Sequence, residues 1–192
     1  MSEANAEPRR CDWGNSTHDY AVYHDEEWGV EVRGDNALFE RLTLEAFQSG
    51  LSWLTILRRR ETFRTAFGHF DVATVAAFGA EDRARLLADP GIIRNRAKVD
   101  AAINNARAIT DNVPEGLTEL LWWFAPEVHP RPAVLADIQP ITAESRAMAK
   151  ELKRRGFAFV GPTTAYALMQ ATGMVDDHVE YCWRAKASAT AD

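Results

Sequence analysis

Cysteine is scarce in this chain, with two in 192 residues, so a disulfide framework cannot hold the fold. No apolar run is long enough to cross a membrane, and Arg9 and Arg10 are followed by no apolar segment of the kind a secretory leader carries. Internal repeats and low-complexity linkers are missing as well, which leaves a single domain as the simplest organisation. Strand-like alternation is absent over any useful length; Phe157 to Val160 is the nearest case, and it is short. Positive charge is in deficit too. The formal net charge of -6 argues mildly against nucleic acid as a partner unless local clusters override it. Three clusters stand out: Arg58, Arg59 and Arg60; Arg94, Arg96 and Lys98; Lys150, Lys153, Arg154 and Arg155. Each is more commonly a solvated helix face than a phosphate contact. A cytoplasmic, monomeric protein with no membrane association is expected.

What is present is helical periodicity and enough apolar residue, 46%, for a sizeable core. Asp35 is placed to cap a helix that buries Leu38, Phe39, Leu42 and Ala46 and ends near Ser49 and Gly50. Ser52 can cap the next, which buries Trp53, Ile56, Leu57, Phe63 and Phe67, and Asp71 a short one ending at Gly79. Further helices are read at about 80–88, 94–110 and 117–124. Thr142 caps one that stops at Gly156, and Pro162 begins one that stops at Gly173. The proline-rich stretch 125–140 reads as a loop. The fold class is all-α, with a disordered tail over 1–10, one domain over 11–184 and a frayed tail over 185–192.

Each cysteine has a histidine close by: Cys11 with His24, and Cys182 with His178. Zinc takes Cys and His in tetrahedral array, and a set of two each would leave no position open for a substrate, so such a site would be structural. His178 and Cys182, four apart, would share one face of a helix. The plainer alternative is a pair of buried thiols, or a disulfide, beside unrelated histidines.

Glu45 breaks the pattern of its helix. It falls within about 60° of the centre of the apolar stripe at 100° per residue, so its carboxylate is at least partly buried, which is costly without compensation. Gln48 lies three residues on, and Trp53 begins the next helix after a tight turn at Gly50. That elbow can gather all three around one cavity. Trp13, Tyr20, Tyr23 and Trp28 fall within sixteen residues. Aromatics at that density usually pack a core; the functional alternative is a stacking pocket for a planar ligand, which a nearby carboxylate would bias toward a cation. Over 80–108, a helix, a short turn with Gly91 and Ile93, and a second helix with Arg94, Arg96 and Lys98 form a helix–hairpin–helix arrangement able to grip a DNA phosphate.

Taken together these segments resemble the bacterial 3-methyladenine DNA glycosylase I family of helix–hairpin–helix base-excision glycosylases. The matching stretches are Cys11 to Trp13, Tyr23 to Gly29, Leu44 to Trp53, Gly91 to Arg94, and Asp176 to His178, so the likeness runs over nearly the whole chain. The resemblance implies one structural zinc held by Cys11, His24, His178 and Cys182. It also implies a base pocket with Tyr20, Tyr23 and Trp53 at its aromatic positions, Gln48 beside them and Glu45 as the acidic, catalytic group. DNA contacts are implied at Gly91, Ile93, Arg94, Arg96 and Lys98, and the implied partner is double-stranded DNA carrying alkylated bases. The hairpin departs from some relatives at Asn95 and Ala97. Two rival readings are a helical module that binds damaged DNA without catalysis and a zinc hydrolase of small molecules.

Overall fold

In the computed structural model, which describes residues 8–185, half of the α-helices start where a polar side chain satisfies a free backbone N–H, and four of the others follow a glycine. Ten α-helices follow in order: α1 (His18–Glu26), α2 (Asp35–Gln48), α3 (Trp53–Leu57), α4 (Arg60–Ala66), α5 (Val72–Ala76), α6 (Ala80–Ala88), α7 (Arg96–Asn112), α8 (Leu117–Trp122), α9 (Ala143–Arg154) and α10 (Pro162–Ala171). No strand occurs among the described residues. Thr17, Ser52, Asp71, Asn95 and Thr142 each accept a hydrogen bond from the N–H three residues on and so cap α1, α3, α5, α7 and α9.

The structure corrects several sequence expectations. Asp35 is the first residue of α2 and not its cap; its carboxylate accepts from Thr118 N and Oγ1 and so secures the start of α8. The helix expected to run from Ser52 through Phe67 is two, because Arg59 leaves helical geometry (φ -103°, ψ 1°). That break sends three consecutive arginines to three partners: Arg58 to Asp19, Arg59 to the Pro90 carbonyl and Arg60 to Glu27. Segment 157–160, read as too short for a strand, indeed forms none, and Phe159 adopts φ 60°. Helix α1 has no single apolar face to announce it, since its buried residues, Tyr23 and His24, are neighbours in sequence. Of the expected tails, residues 1–7 and 186–192 lie outside the described residues, whereas Arg10 is paired with Asp25 at 2.7 Å.

Helix α2 is the central element. It packs against α3, α5, α7, α8 and α10, which accounts for the unbroken burial of Leu42 through Phe47 on every side of the helix. A run of phenylalanine contacts, Phe47–Phe63, Phe63–Phe67 and Phe67–Phe70, with centroids 4.8–6.1 Å apart, joins α2 to α4 and the turn after it. The chain leaves α2 at Gly50 (φ 79°), a conformation costly for other residues, and turns directly into α3.

Segment 29–32 lies along the end of α10, with Gly29 N donating to the Gln170 carbonyl and Val32 N to that of Thr172. Gly173 (φ 74°) makes this approach possible: a Cβ there would sit 2.8 Å from Glu31 N and 2.9 Å from the Gly29 carbonyl oxygen. Gly173→Ala is therefore expected to lower stability by roughly 2–3 kcal/mol, through strain and overpacking against backbone. Urea denaturation of the purified variant measures this, and an unchanged midpoint would mean that segment 29–32 yields freely.

Candidate functional site

One cavity of about 360 Å³ gathers residues from both ends of the chain and from its centre. Its walls are Trp13, Tyr20, Tyr23 and Trp28 from the N-terminal segment, Glu45 and Gln48 from α2, and Trp53 from α3. Leu135, Ile138, Ala167 and Gln170 close the far side. The elbow expected at Gly50 does bring Glu45, Gln48 and Trp53 together, and the N-terminal aromatics line the same space. The far-side residues carried no sequence signal. Leu135 and Ile138 come from a loop with little pattern, and Gln170 lies on an otherwise apolar helix.

The aromatic rings touch edge to face or at a tilt: Trp13–Tyr20 at 5.6 Å, Trp13–Trp28 at 5.1 Å and Tyr23–Trp53 at 5.3 Å between centroids. Tyr20 has a second task, its hydroxyl accepting from Leu54 N to fix the start of α3. Glu45 is 6% exposed and forms no hydrogen bond with any described residue. Burial pushes its carboxyl up to about 8, opposed by the positive charge of Arg41 one turn earlier. The indole N–H of Trp53 is likewise buried without an acceptor among the described residues. The cavity thus holds flat apolar walls and a carboxyl group without a partner, an arrangement suited to a planar ligand that carries positive charge.

Behind the aromatic wall lie Cys11, His24, His178 and Cys182, all buried, with their ligand atoms within 4.8 Å of one another. Both cysteines are free, so the disulfide alternative does not hold. The sulfur of Cys182 lies 3.3 Å from His24 Nε2 and 3.6 Å from His178 Nδ1, and the latter is 3.8 Å from Cys11 Sγ. The remaining ring nitrogens are engaged, His24 Nδ1 with Asp25 at 2.8 Å and His178 Nε2 with the Trp28 carbonyl at 3.2 Å, which turns the opposite nitrogens toward the sulfurs; His24 Nε2 also accepts from Cys11 N at 3.3 Å. His178 and Cys182 meet through a turn closed by Cys182 N to the Val179 carbonyl, and not on a helix. Burial lowers both histidines, His178 to about 4, and so favours neutral imidazole, the form that ligates. The group could hold a metal ion. Trp13 touches His24 and Trp28 touches His178, at 5.1 and 4.7 Å, so the cluster and the cavity share one wall.

The hairpin between α6 and α7 differs in detail from expectation. Lys98 is 7% exposed, and its ammonium donates to the carbonyls of Phe47 (2.9 Å) and Ser49 (2.6 Å), closing the end of α2. It is a structural cation and is withdrawn from the phosphate contacts. The Gly91 N–H, expected to face an anion, donates instead to Asp89 Oδ1 at 2.7 Å. A Cβ there would crowd Asp89 Oδ1 at 3.0 Å and Thr62 at 3.1 Å, so a larger residue would require those side chains to shift. Ile93 N–H makes no hydrogen bond with a described residue, and Arg94 and Arg96 are exposed without partners among them. Asp100 is paired with Arg83.

Fold and cavity define an all-helical protein with a pocket lined by aromatic rings and one buried carboxyl, built against a buried Cys–His cluster. A family model described as Methyladenine glycosylase matches residues 13–185. The chain is 44% identical over 178 residues to DNA-3-methyladenine glycosylase 1 of Escherichia coli (strain K12), covering 90% of this chain and 95% of that protein. A crystal structure of 3-methyladenine DNA glycosylase I superposes with a TM-score of 0.87 at 43% identity, over 92% of this chain and 99% of that one. A structure of the Staphylococcus aureus 3-methyladenine DNA glycosylase I that addresses 3-methyladenine recognition gives 0.84 at 32% identity, over 90% and 94% of the two chains. The chain belongs to the methyladenine glycosylase family.

The raised carboxyl of Glu45 has a consequence for stability. A folded value of about 8 against an ordinary 4.5 means that the folded state holds a proton the unfolded state has lost, so stability falls as pH rises from 4.5 to 8. Glu45→Gln is expected to gain on the native protein by roughly 1.4 kcal/mol per pH unit across that window, reaching on the order of 3 kcal/mol near pH 7. Urea melts at pH 5, 6, 7 and 8 read the difference directly; a gap constant with pH would mean the carboxyl is not raised.

Proposed function

We propose that this protein hydrolyses the N-glycosidic bond of 3-methyladenine in alkylated double-stranded DNA, the first step of base-excision repair. The observation that carries the reading is Glu45, a carboxyl buried in an aromatic cavity with no hydrogen bond to its side chain from the described residues, within a chain of the methyladenine glycosylase family. A base must leave the duplex stack to enter such a cavity, and its flat faces then meet Tyr23, Trp53 and the neighbouring rings. Tyr20 and Gln48 complete the wall beside it. Arg94 and Arg96, with the open N–H of Ile93, are the groups of the hairpin proposed to hold the DNA backbone.

The chemistry follows from the lesion's charge. 3-Methyladenine in DNA is cationic, so when the bond from the sugar C1′ to N9 breaks, its electron pair passes to N9 and the base departs neutral. A water oxygen then bonds to C1′, one water proton passes to solvent, and an abasic site remains. Glu45 needs no part in that bond exchange. In the empty cavity its carboxyl is held largely neutral by burial; a cationic base supplies the missing counter-charge, and Glu45 ionises against it. A neutral adenine offers no such gain, which is how the pocket would distinguish the lesion. Among the described residues no lysine lines the cavity to form a Schiff base, and strand cleavage by lyase chemistry forms no part of the reading.

The metal of the Cys–His cluster is proposed to be zinc. Zinc–ligand bonds of about 2.0 Å to nitrogen and 2.3 Å to sulfur put tetrahedral ligand atoms roughly 3.3–3.8 Å apart; three Cys–His pairs here, at 3.3, 3.6 and 3.8 Å, lie in that range, and the whole set, which spreads to 4.8 Å, would draw in around the ion. Four protein ligands would leave it no open site, so its contribution is to tie the two chain ends and support the aromatic wall.

Two outcomes are expected. Purified protein releases 3-methyladenine from methylated duplex DNA, detected by chromatography of free bases, and Glu45→Gln loses at least tenfold in rate while retaining duplex binding; unchanged release by that variant would remove Glu45 from the mechanism. Chelation that strips the zinc is expected to lower the melting temperature and expose both thiols to alkylation, with zinc restoring each. Metal-free protein melting like the loaded form would count against a structural role.

A further inference from the structure

Below the base cavity lies a cluster of charge that the reaction as described does not use. Glu27, at the end of α1, accepts hydrogen bonds on one carboxylate oxygen from both Arg41 Nη2 (2.9 Å) and Arg60 Nη1 (2.5 Å). All three side chains are largely buried, at 22%, 13% and 17% exposure. Arg41 Nη1 and Arg60 Nε are also buried, and neither has an acceptor among the described residues. Arg41 precedes Glu45 by one turn of α2, on the same face of the helix. Two guanidiniums and one carboxylate leave the cluster one positive charge in excess, which an ionised Glu45 would neutralise.

We propose that Arg41, restrained by Glu27 and Arg60, is a positioning residue that sets the charge state of Glu45 and thereby the cavity's preference for a cationic base. This rests on the reading of Glu45 given above. If Arg41 were free to pair with Glu45 outright, the carboxylate would be neutralised in advance and a cationic base would gain little from it. With Arg41 drawn toward Glu27, its charge reaches Glu45 without a direct hydrogen bond, leaving the carboxyl poised between its two states.

Other charged groups on the surrounding elements have partners of their own or lie away from the cavity. Lys98 of α7 is bound to the Phe47 and Ser49 carbonyls, Glu40 of α2 to Arg64, and Arg58 to Asp19. Asp35 is bound to Thr118; Glu119 of α8 and His69 of the turn before α5 lie outside the cavity wall. From α1, Tyr23 faces Glu45, and burial followed by the charge of Glu45 raises its hydroxyl, so it stays neutral. Gln170, from α10, is uncharged. Arg41 opposes the effect of burial on Glu45, in keeping with this geometry.

The test is an NMR titration of the Glu45 side-chain carboxyl in the full chain, alongside the pH profile of 3-methyladenine release. Arg41→Gln is expected to move the carboxyl titration up by at least one pH unit, with Arg41→Lys restoring most of it. Glu27→Gln, which leaves Arg41 less neutralised, is expected to move it down. The pH limb of excision should follow each shift. Folded variants whose Glu45 titrates as in the native protein would overturn the proposal, and the opposite sign expected of Glu27→Gln decides the matter even if Arg41→Gln fails to fold. A carboxyl that moves while the excision limb stays put would uphold the role of Arg41 and overturn the role given to Glu45.

Discussion

The meeting of the two chain ends at Cys11, His24, His178 and Cys182 is the constraint on which the site depends. These residues bring the segment before α1 against the turn after α10, and the rings packed on them, Trp13 and Trp28, form one wall of the cavity. Glycines mark how tightly this is done: a Cβ at Gly14 would sit 3.0 Å from the His24 ring, and one at Gly29 3.1 Å from that of His178. The same segment is also held against α3, by Tyr23 on Trp53 and by the Tyr20 hydroxyl on Leu54 N, so the junction and α3 together close the cavity over Glu45.

A second constraint is electrostatic. A helix buried on all sides carries a carboxyl that has no hydrogen bond among the described residues, and such a group costs stability. The fold tolerates that cost in a cavity with flat walls, and under the proposed function a cationic base entering the cavity would recover it. The nearest guanidinium is held by another carboxylate, so the site is neither neutralised beforehand nor left without a counter-charge. Stability and recognition are opposed at Glu45, as expected where a residue is kept for function.

The hairpin shows how one cluster in sequence can divide in space. Arg94 and Arg96 remain on the surface, while Lys98, two residues further into α7, turns inward and closes the C-terminus of α2. Three cations in five residues thus serve two ends. The turn itself is held from α4 and its approach, by Arg59 on the Pro90 carbonyl and Thr62 on that of Gly91, so the exposed arginines sit on a fixed platform.

Local rules determined much of this protein from sequence alone. Caps at Ser52, Asp71 and Thr142, the stop after Gln48 and the Pro162 start were legible because each depends on residues within one helical turn. Glu45 was legible as a break in an apolar stripe, and the family resemblance pointed to the four Cys and His residues. Tertiary structure alone decided the rest. Whether Asp35 caps its own helix or α8, whether Lys98 faces solvent or two carbonyls, and that Leu135, Ile138 and Gln170 line one cavity with Trp13 all depend on contacts between distant segments. Residue type and spacing carry no record of such contacts. A charged side chain or a loop leucine has the same local propensity whether its partner lies a turn away or a hundred residues away.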